Sequence, residues 1–374
     1  MKEQKKHTKH TALIKPLGGE FHKNEWAIIG APCDRIDFLV RELNNILSSR
    51  LKLGYLDAAH NAAEEDGRLF TEFTDKINFQ SFTTQNKPEQ KQSRKYFNDL
   101  DLLFVNGNHF VGAKQIVLLN EKKKDSLSKK LDRLTDVRMI IHDGGERYDF
   151  LADKLQDDTV EFEMGQITAI ADFLLKDVEQ SVPPLYGLVL AGGKSKRMGS
   201  DKGAINYKGK AHREFTADLL QEFCQKTYIS CREKQKDTFE SNYTKLTDTF
   251  TGLGPYGAIL SAFREHPNHA WLSIACDLPY IDSATIQQLV AQRDAGKLAS
   301  CYHNPETQFP EPLITIWEPR SYPVLLEFLS QGYSCPRKVL INADIKEIKM
   351  ENQRAMLNAN DKEAYTQAKN ELQD

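Results

Sequence analysis

The chain has 374 residues, of which 40% are hydrophobic and 28% are charged. This length favours two domains, and the composition is ordinary for a globular protein. The formal net charge of -3 excludes the strong basic field of a nucleic-acid or membrane-surface binding protein, and no apolar run is long enough to cross a bilayer. We therefore expect neither nucleic acid nor a membrane as a partner.

The six cysteines are scattered along the chain without a CxxC pair. This spacing argues against a zinc knot or a disulfide framework and suits a reducing compartment. Residues 1–10 are polar and basic with no apolar segment after them, unlike a secretory signal. We expect a disordered basic tail over residues 1–20 and a cytoplasmic protein. The cysteines are Cys33, Cys224, Cys231, Cys276, Cys301 and Cys335.

The first half, residues 21–180, alternates strand-like and helix-like patterns. A short buried strand at 26–29 precedes apolar residues at helical spacing over 34–47, which predict an amphipathic helix. Polar stretches at 83–95 and 121–130 predict surface segments. Further strands are predicted at 53–56, 102–105, 115–119 and 139–141, and a helix at 161–176. Alternating strands and helices favour a mainly parallel sheet with helices on both faces.

The second half, residues 185–374, repeats this alternation after a linker at 181–184 that contains Pro183 and Pro184. Proline cannot donate a backbone hydrogen bond and the residue before it avoids helix, so the segment separates two domains. Strands are predicted at 186–190, 226–231 and 271–275, and helices at 211–224, 257–265 and 283–294. The sequence thus predicts an α/β protein of two mainly parallel, three-layer α/β/α domains.

The segment LAGGKSKRMGSDK, residues 190–202, carries the most chemical information. Its small residues follow a predicted strand and let the backbone approach a ligand closely. Lys194, Arg197 and Lys202 place three cations in one loop, and charge-assisted hydrogen bonds to phosphate are strong. The segment lacks the GxxxxGK[ST] spacing of a Walker A loop. A glycine turn with incidental lysines is the structural alternative, which the length of the pattern disfavours.

Asp277 follows the apolar strand WLSIA and stands two residues before Pro279. Its carboxylate is therefore expected at the carboxyl end of that strand. A Mg²⁺ ion that also binds phosphate oxygens and water needs only a few such protein carboxylates. An ordinary turn-capping role is the alternative. The neighbouring Cys276 reads as a small buried residue.

The pattern at 190–202 closely resembles LAGG-x-S-x-RMG-x-DK, the signature of the molybdenum cofactor guanylyltransferases. GPYGAI at 254–259 resembles the family's GP-x-x-G-[IL] turn, and ACDLP at 275–279 resembles its CD-x-P turn. Pro312-Leu313 and Asn358-Ala359-Asn360 match its later markers. The resemblance covers residues 185–374, about half of the chain.

The resemblance implies a Rossmann-like nucleotidyltransferase domain that binds GTP as substrate with Mg²⁺. The acceptor it implies is the phosphate of molybdopterin, with a molybdoenzyme or its chaperone as a further partner. By their match to the family's motifs, the residues implied for guanine recognition are Leu190, Ala191, Gly192 and Gly193; for phosphate contact and catalysis, Lys202 and Arg197; for Mg²⁺, Asp277; for the nucleotide, Asp248; and for the pterin, Asn358 and Asn360.

Two departures from the family pattern leave alternatives open. His212-Arg213 stands where relatives have an apolar pair, and Arg232 stands where they often have a nucleotide-contacting asparagine. A related enzyme using CTP or a sugar-phosphate acceptor is one alternative, although Gly193 disfavours CTP because CTP-using relatives tend to have alanine there. A non-catalytic nucleotide-binding assembly scaffold is the other, which the intact Lys202 and Asp277 disfavour.

The segment IIGAPCDRID, residues 28–37, lies between a strand and a helix, where a P-loop would lie. The layout resembles the small accessory protein of molybdopterin-guanine dinucleotide biosynthesis, but Arg35, Ile36 and Asp37 replace the Gly, Lys and Ser/Thr that a phosphate needs. We predict no NTP hydrolysis here, and favour a scaffold or cofactor-channelling role over residual nucleotide binding. The polar residues His109, His142 and Asp143 are interpreted as surface or core groups in preference to a metal site.

Overall fold

The computed structural model describes residues 13–58, 71–84, 90–192, 202–207, 209–359 and 362–373. The chain divides into two units, of which the first comprises Leu17–Ser181 and the second includes Val182–Asp374. Within the described residues, no helix has the length and apolar character needed to span a membrane.

The first unit is built on a parallel sheet with the strand order β2-β5-β1-β6-β7-β8. A separate antiparallel hairpin joins β3 to β4. The strands are β1 (Glu25–Ile29), β2 (Leu53–Leu56), β3 (Glu72–Lys76), β4 (Phe79–Thr83), β5 (Leu102–Asn106), β6 (Lys114–Leu119), β7 (Val137–His142) and β8 (Leu155–Glu163). The helices are α1 (Cys33–Leu47), α2 (Gln90–Ser93), α3 (Lys124–Ser128) and α4 (Ile167–Gln180).

The core of the first unit follows from its apolar patterns. Strands β1 and β5 are buried along their whole length, as central strands of a parallel sheet are. Helix α1 buries one stripe against the sheet and packs beside α4 in the same apolar cluster. A second cluster that includes Leu127 of α3 covers the opposite face of the sheet. The predicted fold class is therefore confirmed for this unit.

One predicted helix was misplaced. Residues 161–163, assigned from the sequence to a helix at 161–176, are the end of β8, and α4 begins only at Ile167. The amide of Glu163 donates to the side chain of Gln166 across the intervening turn, and Gly165 lies in that turn. The helix was misplaced because Val160 and Phe162 fit the alternating pattern of a strand as well as the apolar face of a helix.

The start of the first unit is held by one buried carboxylate. Glu25 is 1% exposed, and its oxygens accept hydrogen bonds from the amides of Glu20, Phe21 and His22. Because a buried carboxylate needs such donors, these bonds fix the segment that leads into β1. Residues 1–12 of the predicted tail lie outside the described residues.

The second unit is built on a mixed sheet with the order β11-β10-β9-β12-β14-β13-β15. Strands β9 to β12 pair in parallel, whereas β14 runs antiparallel to both of its neighbours. The strands are β9 (Leu185–Leu190), β10 (Lys226–Cys231), β11 (Thr244–Thr247), β12 (Ala270–Ala275), β13 (Ala299–Asn304), β14 (Phe309–Trp317) and β15 (Lys346–Lys349). The helices are α5 (His212–Gln221), α6 (Pro255–Glu265), α7 (Ser283–Ala291), α8 (Ser321–Ser330), α9 (Pro336–Ile341) and α10 (Lys362–Gln373).

Both faces of this sheet are covered. Val189 of β9 points into a cluster that contains residues of α5 and α7, while Leu188 and Leu190 point into the opposite cluster with α6 and α8. Successive side chains of a strand point to opposite faces, so a strand covered on both faces is apolar throughout. The three-layer α/β/α architecture predicted for the second half is confirmed.

Candidate active site

Four strand ends meet at one edge of the second sheet. Leu190 at the end of β9 pairs with Ser230 of β10 and with Ala275 of β12, and Cys231 of β10 pairs with Thr247 of β11. Open α/β sheets bind their ligands beyond the carboxyl ends of such parallel strands. The residues that follow these four ends include Ala191, Gly192, Arg232, Asp248, Cys276 and Asp277.

Asp248 lies directly against Gly192. A Cβ atom placed on Gly192 would lie 2.7 Å from Asp248 Oδ2 and 3.6 Å from Ser230 Oγ. The other oxygen of Asp248 accepts a hydrogen bond of 2.8 Å from Ser230 Oγ. The carboxylate can occupy this position because residue 192 is a glycine and has no Cβ atom. The contact brings together two of the residues that the sequence assigned to the nucleotide.

The environment of Asp248 disfavours its charge. Burial raises the pKa of Asp248 to about 6, although the Ser230 hydrogen bond and the nearby Arg232 both oppose that shift. A buried carboxylate with a raised pKa in a cleft marks a candidate functional site. Near neutral pH the group is still mostly ionised and acts as a hydrogen-bond acceptor.

Arg232, one of the two departures from the family pattern, is held by its own turn. Its Nε donates to Gln235 Oε1 at 2.8 Å, and its backbone amide contacts the same oxygen at 3.2 Å. The guanidinium therefore has a defined position next to β10 and contributes positive charge near Asp248. Gln235 was not identified from the sequence. It is buried, but it stands in the polar segment 232–237, which gives no sign of burial.

Asp277 lies at the end of β12, as predicted. Its backbone oxygen accepts a hydrogen bond of 2.9 Å from the amide of Ala359, so the NAN segment near the chain end docks onto the turn that carries Asp277. Asp277 also contributes to the raised pKa of Tyr207, which is caused first by burial and next by Tyr365. The exposed Asn358 precedes Ala359, so this hydrogen bond brings the predicted pterin residue near the Asp277 turn although it is distant in sequence.

A Mg²⁺ ion fits the chemistry of this edge. Magnesium is commonly held by one or two carboxylates together with water and substrate phosphates, and Asp277 supplies one such carboxylate. In the part of the chain that the structure describes, no three His, Cys, Asp or Glu residues group closely enough to bind a metal without a substrate. An ion at Asp277 would therefore depend on the phosphates for its remaining ligands.

Part of the predicted loop lies outside the described residues. Leu190 and Ala191 are buried at the end of β9, and Gly192 follows them. Gly193 and Arg197 belong to the stretch 193–201, and Asn360 is likewise outside the described part. Lys202 begins a short 3-10 turn, Lys202–Ala204. The roles assigned to these residues stay predictions.

His212 and Arg213, the second departure, are both buried at the start of α5. His212 Nε2 lies 3.0 Å from the carbonyl oxygen of Leu278, to which it donates. The Arg213 guanidinium lies 3.9 Å from the centroid of the Phe239 ring, and its side chain packs against Gly203. The pair thus connects the turn that begins at Lys202 to the turn that contains Asp277. The apolar pair of the relatives could make this connection only by packing, without a hydrogen bond.

The degenerate loop of the first unit has a different electrostatic arrangement. Arg35 makes two hydrogen bonds to Asp143, of 2.9 and 2.5 Å, and this interaction lowers the pKa of the Asp143 carboxyl. The guanidinium is thus committed to a protein carboxylate. His142 lies between the carbonyl of Gly145 and the carboxylate of Glu161, so His142 and Asp143 each have protein partners.

Four parallel strands within a mixed sheet, a glycine after β9 and carboxylates after β11 and β12 define a nucleotide-binding domain of the nucleotidyltransferase class. Residues 187–346 match the model of the MobA-like NTP transferase domain family. The chain belongs to the molybdenum cofactor guanylyltransferase family, since it is 30% identical over 148 residues to a probable molybdenum cofactor guanylyltransferase of Bacillus subtilis, covering 38% of this chain and 72% of that protein.

Two further similarities concern longer or more distant proteins. The chain is 41% identical over 192 residues to the "Molybdenum cofactor biosynthesis bifunctional protein" of Synechocystis, covering 51% of this chain but only 55% of that relative's length. The crystal structure of "molybdopterin-guanine biosynthesis protein B (mobB)" is 16% identical and covers 41% of this chain and 99% of that chain, with a TM-score of 0.32.

Proposed function

We propose that the second unit transfers GMP from Mg-bound GTP to the phosphate of molybdopterin, with or without its metal, and releases pyrophosphate. The product is molybdopterin guanine dinucleotide. The observation that carries the proposal is the Asp248 carboxylate against Gly192, at the end of the strand that leads into the signature loop. Family membership supports the reaction type, and this geometry supports the choice of base.

Guanine offers two adjacent donors, the N1 hydrogen and the 2-amino group. An ionised carboxylate is an acceptor-only group that can receive both. Cytosine and adenine lack this pair of donors, so they would leave the partly buried Asp248 charge without compensation, which is costly. Asp248, together with the adjacent backbone of residues 190–192, therefore supports guanine over cytosine at this edge.

The phosphate end of the nucleotide would lie towards Lys202, Arg197 and Asp277. Asp277 would hold Mg²⁺, which supplies neutralisation of phosphate charge when it is bound. Lys202 and Arg197 would add charge-assisted hydrogen bonds to the same phosphates. His212 and Arg213 would keep the two turns that carry these groups in register.

The chemistry needs little proton transfer. An oxygen of the acceptor phosphate attacks the α-phosphorus in line, the new P–O bond forms, and the bond to pyrophosphate breaks. The attacking oxygen is already anionic, so no general base is required. Positioning and electrostatic stabilisation would then supply the rate enhancement. Asn358 and Asn360, next to the Ala359 that docks on Asp277, would bind the pterin side.

Isothermal calorimetry with GTP, CTP and ATP in the presence of Mg²⁺ tests the base preference. We expect binding of GTP and a much weaker response to the other two. Tight binding of CTP without a response to GTP would favour the cytidylyl alternative. A pyrophosphate-release assay with molybdopterin and GTP then separates an enzyme from a nucleotide-binding scaffold, because a scaffold binds GTP but releases no pyrophosphate.

Lys202→Ala tests the phosphate end. Loss of a cation that stabilises a transferring phosphoryl group typically costs about 10²-fold or more in kcat, and Lys202→Ala leaves the backbone of the turn unchanged. We expect such a loss in the pyrophosphate assay with an unchanged melting temperature. Unchanged turnover would remove Lys202 from the mechanism.

Several sequence predictions stay part of the proposal. These are the division into a tail, a domain at 21–180, a linker at 181–184 and a domain at 185–374, together with a cytoplasmic location and delivery to a molybdoenzyme or its chaperone. For the first unit we propose a scaffold or cofactor-channelling role without NTP hydrolysis. The Arg35–Asp143 ion pair supports this, because it occupies the loop's cation with a protein carboxylate.

A further inference from the structure

The carboxyl edge of the first sheet, where a P-loop protein would bind phosphate, carries a thiol and an imidazole in contact. Cys33 is the first residue of α1, directly after the loop that follows β1. Its Sγ lies 3.4 Å from Nε2 of His109. Asn108 Nδ2 lies 3.9 Å from the same sulfur and donates to the carbonyl of Ala31 at 2.9 Å.

The imidazole is positioned next to a carboxylate that is itself held in place. His109 Nε2 lies 3.9 Å from Asp57 Oδ1. Asp57 accepts hydrogen bonds of 2.8 Å from Asn106 Nδ2 and from the hydroxyl of Tyr55. Asp57 and His109 follow the ends of β2 and β5, the two successive strands on one side of β1 in the sheet order. The edge therefore brings a thiol and an imidazole into contact, with a carboxylate nearby on the same side of the ring.

Cys33 lies where an imidazole can accept its proton. The thiolate is the reactive form of cysteine, and an adjacent base lets a thiol attack as it loses its proton. Cys33 is partly exposed, so a small reagent can reach it. Cys224, Cys231 and Cys301 are buried instead, and burial raises the pKa of each of these thiols.

We propose that Cys33 and His109 form a thiol–disulfide exchange site, which takes a low-molecular-weight disulfide as its substrate. Cys33 Sγ attacks one sulfur of the disulfide, a new S–S bond forms and the old S–S bond breaks. His109 accepts the proton of Cys33 and delivers it to the departing thiolate. Cys33 is thereby oxidised to a mixed disulfide, and the other half of the substrate is reduced to a thiol. The site is independent of guanylyl transfer in the second unit.

The reduced full-length protein offers its own reference thiol. Cys335 is exposed and, like Cys33, lies at the N-terminus of a helix, α9. In the described part of the chain, the thiol that contacts a histidine is that of Cys33, whereas Cys335 has no such contact. The reaction with glutathione disulfide is stopped with acid at intervals, and both sites are quantified by peptide mass spectrometry. We expect Cys33 to react at least about tenfold faster than Cys335, as assistance by a positioned base allows.

His109→Gln tests the role of the imidazole. It should lower the rate at Cys33 at least about tenfold and leave the rate at Cys335 unchanged. His303→Gln is the matched control, because His303 is a half-exposed histidine of the second unit that contacts Glu347, and it should change neither rate. Equal rates at Cys33 and Cys335 in the wild-type protein, or a Cys33 rate that is insensitive to H109Q, would overturn the proposal. The wild-type comparison decides even where a variant does not fold.

Discussion

At the scale of single residues, the Asp248 carboxylate has opposite effects on stability and on binding. Its pKa is raised to about 6 by burial, so the folded protein holds a charge that the unfolded chain accommodates at lower cost. A pKa difference of about two corresponds to roughly 2–3 kcal/mol. Residues kept in such unfavourable states are typical of functional sites.

Asp248→Asn is therefore expected to stabilise the free protein while weakening GTP binding. The amide oxygen can still accept from Ser230, but the side chain no longer carries a charge. The group's folded pKa is raised, so wild-type and variant have similar stability below about pH 4, and the variant gains through pH 4–6 and keeps about 2–3 kcal/mol above that range. Urea unfolding at a series of pH values measures the gain, and calorimetry measures the loss of binding.

Ser230→Ala is the matched control, since it removes the donor to Asp248 instead of the charge. It should destabilise the wild-type protein more than it destabilises the D248N variant, because the lost hydrogen bond is worth more to a charged acceptor. A gain for D248N that is the same at pH 4 and pH 8 would contradict the assignment of the stability effect to ionisation.

Gly192→Ala addresses the space beside the same carboxylate. The added methyl group would lie 2.7 Å from Asp248 Oδ2, so the short carboxylate side chain must move away from its position beside the loop. A misplacement on the order of 1 Å can cost about 10²-fold in rate, and we expect a loss of that order in kcat/KM for GTP. The pyrophosphate assay measures it.

Gly165→Ala supplies the comparison for that variant. A Cβ on Gly165 meets no atom within 4 Å, so this substitution in the first unit should leave turnover unchanged. If G192A retained wild-type kcat/KM, the contact between residue 192 and Asp248 would have no part in nucleotide recognition.

At the scale of elements, the strands and helices next to the site were predictable because the apolar residues in each follow a single repeat, that of a strand or that of a helix. The sequence placed β9, β10 and β12 within a residue of their observed ends, since buried parallel strands are continuous apolar runs. Which strands pair with each other, and in which direction, was harder to predict from the sequence. Nothing in residues 309–317 shows that β14 runs antiparallel beside β12, because strand direction is set by the connections and not by the strand's own residues.

The opposite end of the second sheet carries an aromatic cluster with two histidines. His269 stacks on Tyr186 with ring centroids 3.9 Å apart, and His266 Nε2 lies 2.8 Å from the hydroxyl of Tyr228. Burial lowers the pKa of both histidines, with Lys226 contributing at His266 and His266 contributing at His269. Glu265 opposes the shift at His266. The cluster therefore favours neutral imidazoles.

We expect this cluster to make the second unit sensitive to acid. A histidine with a lowered folded pKa stabilises fully above its unfolded value, about 6.5, and the contribution is lost as pH falls through that value towards the folded pKa. The double variant H266Q/H269Q should remove this part of the pH dependence. Thermal unfolding from about pH 7.5 to about pH 5 measures it, as the difference between variant and wild type.

His303→Gln is again the control, because His303 is half-exposed and lies outside the cluster. Its melting temperature should track that of the wild-type protein across the series. A wild-type curve parallel to that of H266Q/H269Q over the whole range would show that the two buried imidazoles do not drive the acid sensitivity.

At the scale of the whole molecule, the sequence located the polar residues at the sheet edge better than the residues that support them. Asp248 and Asp277 were placed at that edge because they stand at fixed positions in recognisable motifs, and their roles stay predictions. Ser230 and the buried His212 were not identified as supports, because their partners lie 18 and 66 residues away and polar residues in a sequence are usually exposed. Contacts of this kind depend on chain folding that local patterns do not encode.

Each unit has hydrophobic clusters of its own, so a ligand of one unit is expected to stabilise that unit selectively. A ligand present at about 100 times its Kd stabilises the state it binds by about 2.7 kcal/mol. With Mg-GTP, amides of β9 and β10 should therefore exchange with deuterium more slowly, while those of β1 and β5 should not change. Hydrogen-exchange mass spectrometry of the full chain reports both sets at once, with Mg-CTP as the control nucleotide. Equal slowing in β1 and β5 would mean that the first unit has retained nucleotide binding despite its Arg35–Asp143 pair, which would replace the scaffold role with a second nucleotide site.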